Sequence, residues 1–226
     1  RADKFLKKKN IPSSMLDSEI LMSKVLNKDR KFLILNSQKD LTKKNLSNFS
    51  QLIKKRSKGE PIAYLTKKKF FWKYEFIVKK KILIPRPDTE VLVEETLKLT
   101  KKNSKMKVLD IGIGSGCILL SILKERKNFF GVGVDISKKC IDISKTNAFK
   151  LKISNRVKLF KSNVDNFNYG KYDLIVSNPP YINTLNLKCL EKDIYNFEPI
   201  IALDGGLNGL NKIKKVVDKS SKLLKK

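Results

Sequence analysis

The chain has 226 residues, 41% hydrophobic and 32% charged, enough for a sizeable core in one large domain or two modest ones. Its 50 lysines and arginines against 22 acids leave a net charge of +28, as an acidic partner such as nucleic acid would require. Yet 44 of the 50 are lysine, whereas phosphate recognition usually draws on the forked donors of arginine, so compositional drift on a solvated surface explains the excess equally well.

Histidine is absent, and Cys117, Cys140 and Cys189 stand far apart with no CxxC pair. Ser-His-Asp and Cys-His nucleophile systems, HExxH sites and an imidazole general base are therefore excluded, and neither a zinc cluster nor a disulfide framework is indicated. No apolar run reaches membrane length and no signal pattern opens the chain. The expectation is a cytoplasmic protein, with neither metal nor membrane, whose chemistry runs on carboxylates, amides, backbone groups or a cofactor.

The first third reads as helices. Ser14 and Asp17 resemble a capping box ahead of an apolar face at Leu16, Ile20, Leu21 and Val25. A second helix starts after Thr42, buries Leu46, Phe49, Leu52 and Ile53, and ends near Gly59. At "FFWKYEFIV" the period changes to two, putting Phe70, Trp72, Tyr74, Phe76 and Val78 on one side of a strand, with Ile82 to Ile84 as its hairpin partner. "IPRPDTE" then breaks the strand and starts a helix from about Thr89 to Leu99. The expected divisions are a helical domain over 1–68, a connecting hairpin over 69–86, and a larger domain over 87–226.

From Lys107 apolar strands alternate with amphipathic helices. The strands are "KVLDI", "FGVGVD", "RVKLF" and "YDLIVS", and helices follow the glycine turn and Ser137. This pattern predicts an α/β fold with a doubly wound, mostly parallel sheet.

"VLDIGIGSG" places Gly112, Ile113, Gly114, Ser115 and Gly116 in the turn after the first of these strands. Glycine lets backbone approach a ligand closely, and the helix start adds free N–H groups. Cys117 stands where a dinucleotide fingerprint needs its third glycine, and there is no phosphate-binding GK[ST]. Asp135 ends the second strand roughly 20 residues on, where a carboxylate accepts ribose hydroxyls. An adenosine ligand without pyrophosphate fits, S-adenosyl-L-methionine foremost. The competing reading is a structural turn with Asp135 capping its helix.

"VSNPPYI" ends the fourth strand at the edge where open α/β sheets bind ligands. The prolines fix the backbone and remove donors, so Asn178 and Pro179 present acceptor oxygens beside the Tyr181 ring. Such a set suits a planar group bearing NH2, each N–H held by one oxygen in front of a methyl donor. Asn178, Pro179 and Tyr181 are the candidate catalytic residues.

Together "IPRPDTE", "VLDIGIGSG", "VDIS" and "VSNPPYI", with "GEPIAYLT" and "FEPIIALDGG", resemble the peptide chain release factor N5-glutamine methyltransferase family. The resemblance covers nearly the whole chain. It implies a Rossmann-like class I methyltransferase domain, preceded by a helical domain that grips the release factor. It implies that Gly112 to Gly116, Asp135 and Asn178 hold S-adenosylmethionine, and that Asn178, Pro179, Pro180 and Tyr181 hold the side-chain amide of the Gly-Gly-Gln glutamine of a class I release factor. Arg86 and Glu90 are expected organisers of the cleft, and a monomer is expected.

The family usually has an acid after the third strand where "KSNVDN" offers Asn163. The Asn163 amide and Val164 then face adenine, or Asp165 takes the acid's place. The chain ends in a lysine-rich helix carrying Leu210, Ile213, Val216 and Val217, without the family's fifth strand and final hairpin. This reads as a fragment whose fourth strand has an unpaired edge. Adenine-N6 nucleic-acid methylation shares NPPY and is the alternative with the same chemistry on a different substrate; a ribosomal-protein glutamine is the alternative protein target, and a non-catalytic RNA- or ribosome-binding module the alternative class.

Overall fold

A computed structural model describes residues 1–226 and divides them into two units, residues 1–67 with 192–197, and residues 68–191 with 198–226. The first unit contains α1 (Ala2–Lys7), α2 (Ser14–Leu26), α3 (Arg30–Leu35), α4 (Lys43–Arg56) and α5 (Ile62–Thr66). Leu6, Ile11, Leu21, Ile53 and Leu65 form its core, with Phe49 and Leu52 packed against it. Thr42 starts α4 as expected, its hydroxyl accepting from the Asn45 amide at 3.2 Å.

The expected capping box does not form. Ser13 is the residue before α2, which puts Asp17 one position too far along the first turn to reach back. Asp17 is instead buried, pairing with Arg56 at 2.6 Å and accepting from the Ser13 hydroxyl at 2.9 Å. The buried stripe of α2 therefore runs Ser14, Asp17, Leu21, and Leu16 is turned out to solvent with Leu46 of α4.

In the second unit "FFWKYEFIV" is a hairpin in itself. β1 (Lys68–Phe71) and β2 (Tyr74–Ile77) pair antiparallel, with Phe71 opposite Tyr74. The turn lacked a Gly, Asn or Pro signal; Trp72 adopts the left-handed conformation, with φ of 56°. Glu90 accepts from the Trp72 backbone N–H at 2.8 Å, and Glu125 from its indole N–H at 3.0 Å. Ile82 and Ile84 are buried outside any strand, so the expected pairing of 82–84 with the long strand does not occur.

After a short turn at Pro87–Thr89 come α6 (Glu90–Leu99), β3 (Lys107–Ile111), α7 (Cys117–Glu125), β4 (Phe130–Asp135), α8 (Lys138–Lys150), β5 (Val157–Lys161) and β6 (Leu174–Ser177). The four strands form one parallel sheet in the order β5-β4-β3-β6. Alternation of side chains along each strand gives it two buried faces. Val108 and Val176 pack with α7 and the hairpin, while Leu109, Ile111, Val132 and Val134 pack on the opposite face with Phe167 and Leu223. This is the doubly wound α/β fold read from the period.

β7 (Ile182–Asn183), α9 (Lys192–Phe197), β8 (Asp204–Gly206) and α10 (Asn211–Leu223) follow. β7 and β8 form a small parallel pair. The β6 edge is engaged just before the strand, where the Tyr172 N–H donates to Leu223 and its carbonyl accepts from Lys225, both at 2.9 Å. The sequence divisions put the segment of α9 in the larger domain. It belongs to the helical unit, where Asp193 pairs with Arg56 at 3.1 Å. No helix is long and apolar enough to cross a membrane.

Candidate active site

The sheet order places β4 and β6 on either side of β3, so the chain changes direction across the sheet between β3 and β6. Ligands bind at such a switch point, outside the carboxyl ends of the strands. All four strand ends converge there on a cleft of about 260 Å³.

The β3 end supplies the glycine turn. Gly112 and Gly114 have φ of 79° and 56°, and a side chain at Gly112 would extend into open space. The Gly112 and Ile113 amides both donate to the Val134 carbonyl, at 2.9 and 3.1 Å. From behind, Ser144 donates to the Gly114 carbonyl at 2.9 Å and Asn147 to the Ser115 carbonyl at 2.8 Å. Of the predicted turn residues, Gly112 and Gly114 line the cleft. Ile113, Ser115 and Gly116 do not: Ile113 packs inward over Gly133, Ser115 is buried, and Gly116 caps α7.

Asp135 lines the cleft at the end of β4. Its oxygens accept from the amides of Gly114, at 3.0 Å, and Ser137, at 2.8 Å. Burial pushes its pKa up, against the lowering effect of those two N–H groups. Asp135 does not cap α8, since Ser137 takes that place with its hydroxyl accepting from the Cys140 amide; the Asp135 carboxylate instead ties the glycine turn to the loop after β4.

At the end of β5, Asn163 and Val164 line the cleft. The Asn163 oxygen accepts from the Asp165 amide at 3.1 Å, which leaves its NH2 as the edge available to a ligand. Asp165 does not take the place of the family's acid; it is outside the lining and pairs with Lys215 of α10 at 2.7 Å.

β6 delivers Ser177, Asn178, Pro179 and Pro180 to the cleft. Tyr181 is outside the lining with its side chain turned to solvent, 65% exposed. Gly205 and Gly209 lie against the Tyr181 main chain, too close for any side chain of their own.

Several cleft residues had no signal in the sequence. Leu83, Ile136, Ile201, Ala202 and Val216 supply apolar walls, and Lys81 and Lys212 also line it. Val216 was legible only as an apolar position of a helix. Arg86 and Glu90, the expected organisers, are both outside the lining. Arg86 pairs with the buried Glu198 at 2.5 Å, and the same carboxylate accepts from the Ile84 amide at 3.1 Å. Thr89 was read only as a helix start, yet its hydroxyl accepts from the Asn178 side-chain NH2 at 3.1 Å. No cluster of three or more cysteine and acidic side chains capable of holding a metal ion occurs.

Two protein families match the chain, one described as the PrmC N-terminal domain over residues 1–66 and one as the methyltransferase small domain over residues 87–194. A release factor glutamine methyltransferase of Buchnera aphidicola subsp. Baizongia pistaciae is 43% identical over 220 residues, covering 96% of this chain and 78% of the relative. One of the same description from Clostridium acetobutylicum is 41% identical over 228 residues, covering all of this chain and 80% of the relative. Among solved structures, a SAM-dependent methyltransferase from Geobacter sulfurreducens, in complex with S-adenosyl-L-homocysteine, has 15% identity and a TM-score of 0.41, covering 62% of this chain and 45% of its own.

Proposed function

Since the chain belongs to the release factor glutamine methyltransferase family, we propose that it methylates the side-chain nitrogen of the Gly-Gly-Gln glutamine in class I peptide chain release factors, with S-adenosylmethionine as methyl donor. The observation that carries this reading is the placement of Asn178 and Pro179 at the tip of β6, directly across the switch point from the open glycine turn of β3.

The residues present fit the cofactor. The side-chain-free surface at Gly112 receives a ligand that a Cβ would displace, and Asp135 accepts hydroxyls of a ribose. Ile136, Val164, Ala202 and Val216 wall a flat apolar base, to which the Asn163 NH2 donates. When bound, S-adenosylmethionine supplies a methyl group whose bond pair returns to the sulfonium sulfur, as the amide nitrogen forms the new N–C bond and releases a proton to water.

The chain's own contribution is positional. Asn178 Oδ1 and the Pro179 carbonyl accept the two N–H groups of the glutamine amide, and this fixes the direction of the nitrogen. Both contacts strengthen as positive charge grows on that nitrogen, which makes them worth more in the transition state than in the ground state. Pro180 holds the carbonyl rigidly in place. Tyr181, exposed at the rim, offers a ring for the incoming loop to stack on.

The helical unit is the candidate grip on the release factor. It carries exposed apolar side chains at Met15, Ile34 and Leu35, the last 84% exposed, of the type that marks protein contacts.

Labelled S-adenosylmethionine should be incubated with the protein and, separately, release factor, DNA and ribosomal RNA. Label is expected on the release factor and should vanish when its Gly-Gly-Gln glutamine is replaced. Label confined to nucleic acid refutes the reading. Asn178→Ala should abolish transfer while changing cofactor affinity little by calorimetry, because the cofactor's main contacts lie on β3, β4 and β5. Equal loss of both would make Asn178 a wall of the pocket rather than the group that orients the amide.

A further inference from the structure

We infer that Asn147 of α8 is a positioning residue for the cofactor, tying the glycine turn after β3 to the end of the β1–β2 hairpin, so that the shape of the turn depends on both. The inference rests on the reading of that turn as the S-adenosylmethionine site.

Gly112, Gly114 and Gly116 all have positive φ, at 79°, 56° and 83°. Glycine makes this backbone accessible but does not hold it there, since no residue has more freedom to lose. The shape must be imposed by partners. On the amide side these are the Val134 carbonyl, the Asp135 carboxylate and, for Gly116, the Ile113 carbonyl at 2.8 Å. The carbonyls of Gly114 and Ser115 are held from α8, by Ser144 and Asn147, which share one face of the helix.

Asn147 is fully buried and uses its whole amide. Its Oδ1 accepts from the Ile77 N–H at 2.8 Å, while Nδ2 donates to the Ile77 carbonyl at 3.0 Å and to the Ser115 carbonyl at 2.8 Å. All three partners are main-chain groups, and a main-chain N–H only donates while a carbonyl only accepts. The opposite orientation would set NH2 against N–H and oxygen against two carbonyls. These contacts therefore admit a single orientation of the amide.

Ile77 ends β2 opposite Lys68, and Phe71 with Tyr74 closes the hairpin. Pairs alternate between bonded and non-bonded along an antiparallel ladder, so Lys68–Ile77 is a non-bonded pair and the Ile77 N–H and carbonyl face away from β1. Asn147 takes both, as the peptide group of a further strand would. The Ile77 side chain packs against Ile82 together with Cys140 and Ile143 of α8.

One side chain thus serves the hairpin end and the turn at once. Without it the buried Ser115 carbonyl is left unpaired, which the turn can relieve only by moving. Gly114, the neighbouring residue, lines the cleft and moves with it. Residues 68–77 do not line the cleft, so a response of the hairpin to bound cofactor is the signature of this link.

Hydrogen exchange of the wild-type chain reads that signature directly. Saturating S-adenosylhomocysteine should slow exchange at least about threefold in peptides covering 74–78 as well as 112–118, and less than about twofold in those of α6. Slowing confined to the turn overturns the inference, and so does equal slowing of α6, which would report general stabilisation.

Asn147→Asp keeps the shape and the acceptor for the Ile77 N–H but sets an oxygen toward the two carbonyls. By calorimetry it should bind S-adenosylhomocysteine at least about 10-fold more weakly, and its hairpin peptides should lose their response to the ligand. Thr100→Val is the control for lost stability. It removes a buried hydroxyl of the same unit, outside the cleft, that donates to the Thr96 carbonyl at 2.6 Å. Its affinity should stay within about twofold of wild type. Wild-type affinity in folded Asn147→Asp overturns the inference, as does equal weakening by Thr100→Val, which would show that affinity follows stability alone. If Asn147→Asp does not fold, the wild-type exchange pattern decides. A wild type that binds no S-adenosylhomocysteine refutes the cofactor reading and the inference with it, whereas every other negative result leaves the cofactor reading standing.

Discussion

Asp110 gives the sharpest test of the energetics beneath the glycine turn. It lies on β3 two residues before Gly112, is fully buried, and neither carboxylate oxygen has a hydrogen-bond partner. Burial pushes its pKa from 3.8 up to about 7; the Leu119 backbone N–H, too poorly placed to form a hydrogen bond, opposes the rise, and the charge of Asp135 adds a smaller push upward. In the unfolded chain the carboxyl titrates near its ordinary value, so between about pH 4 and about pH 7 the folded state binds the extra proton. Stability therefore falls as pH rises through that window, by about 1.4 kcal/mol per unit, and the loss is complete above about pH 7 at roughly 4 kcal/mol. Asp110→Asn cannot ionise and escapes this loss, whatever constant cost its own buried amide carries. From about pH 5 to about pH 8 the wild type should lose stability relative to the variant, on the order of 2 to 3 kcal/mol. Urea unfolding can be followed through Trp72, the one tryptophan of the chain, which lies in the same unit as Asp110. A difference between the two proteins that stays constant over this range would refute the reasoning, because it would mean that Asp110 ionises as easily inside the fold as outside.

Gly112→Ala should cost about 1 kcal/mol of stability through its left-handed backbone, and calorimetry should show S-adenosylhomocysteine bound about 10-fold more weakly, because the new methyl group enters the cleft. Unchanged affinity would remove this turn from the cofactor site. Arg86→Met should destabilise the protein by about 2 kcal/mol on urea titration. It leaves Glu198 buried with only the Ile84 amide, and the figure is kept low because the Arg86 side chain is 35% exposed against 2% for Glu198. Adding Glu198→Gln should recover part of the loss, and no recovery would mean that Arg86 acts through packing rather than charge.

What the sequence made legible followed from local periodicity. Strands and helices from Lys107 to Ser177 alternate with clean apolar patterns, and the glycine turn and the proline tip fall at strand ends, which is enough to locate the cleft. The hairpin turn was illegible because Trp72 is not a turn former; its left-handed backbone is sustained by Glu90 and Glu125, which come from two separate helices. Asp17 was misread because a capping acid and a buried ion-pair partner look alike until the start of the helix is known to one residue. The pairs Arg86–Glu198 and Thr89–Asn178 span 112 and 89 positions, and no rule of local spacing reaches so far. The motif places Tyr181 beside the strand tip, but nothing local to it shows that the ring turns to solvent.

A primary amide nitrogen is a weak nucleophile because its lone pair is shared with the carbonyl, so a methyl transfer to it gains most from fixed direction and from charge stabilisation at the moment of reaction. The distribution of groups in the cleft matches that need. Its carboxylate, Asp135, lies at the end of β4 with β3 between it and the tip of β6, and it is already engaged by two backbone amides. At the β6 tip the acceptors are neutral, a side-chain oxygen and a main-chain carbonyl, which keep the same form across physiological pH. An imidazole there would change its charge within that range and, once protonated, would turn from acceptor to donor. Neutral acceptors avoid that reversal but discriminate only by orientation, and an amide is the one of the two that can turn the wrong way.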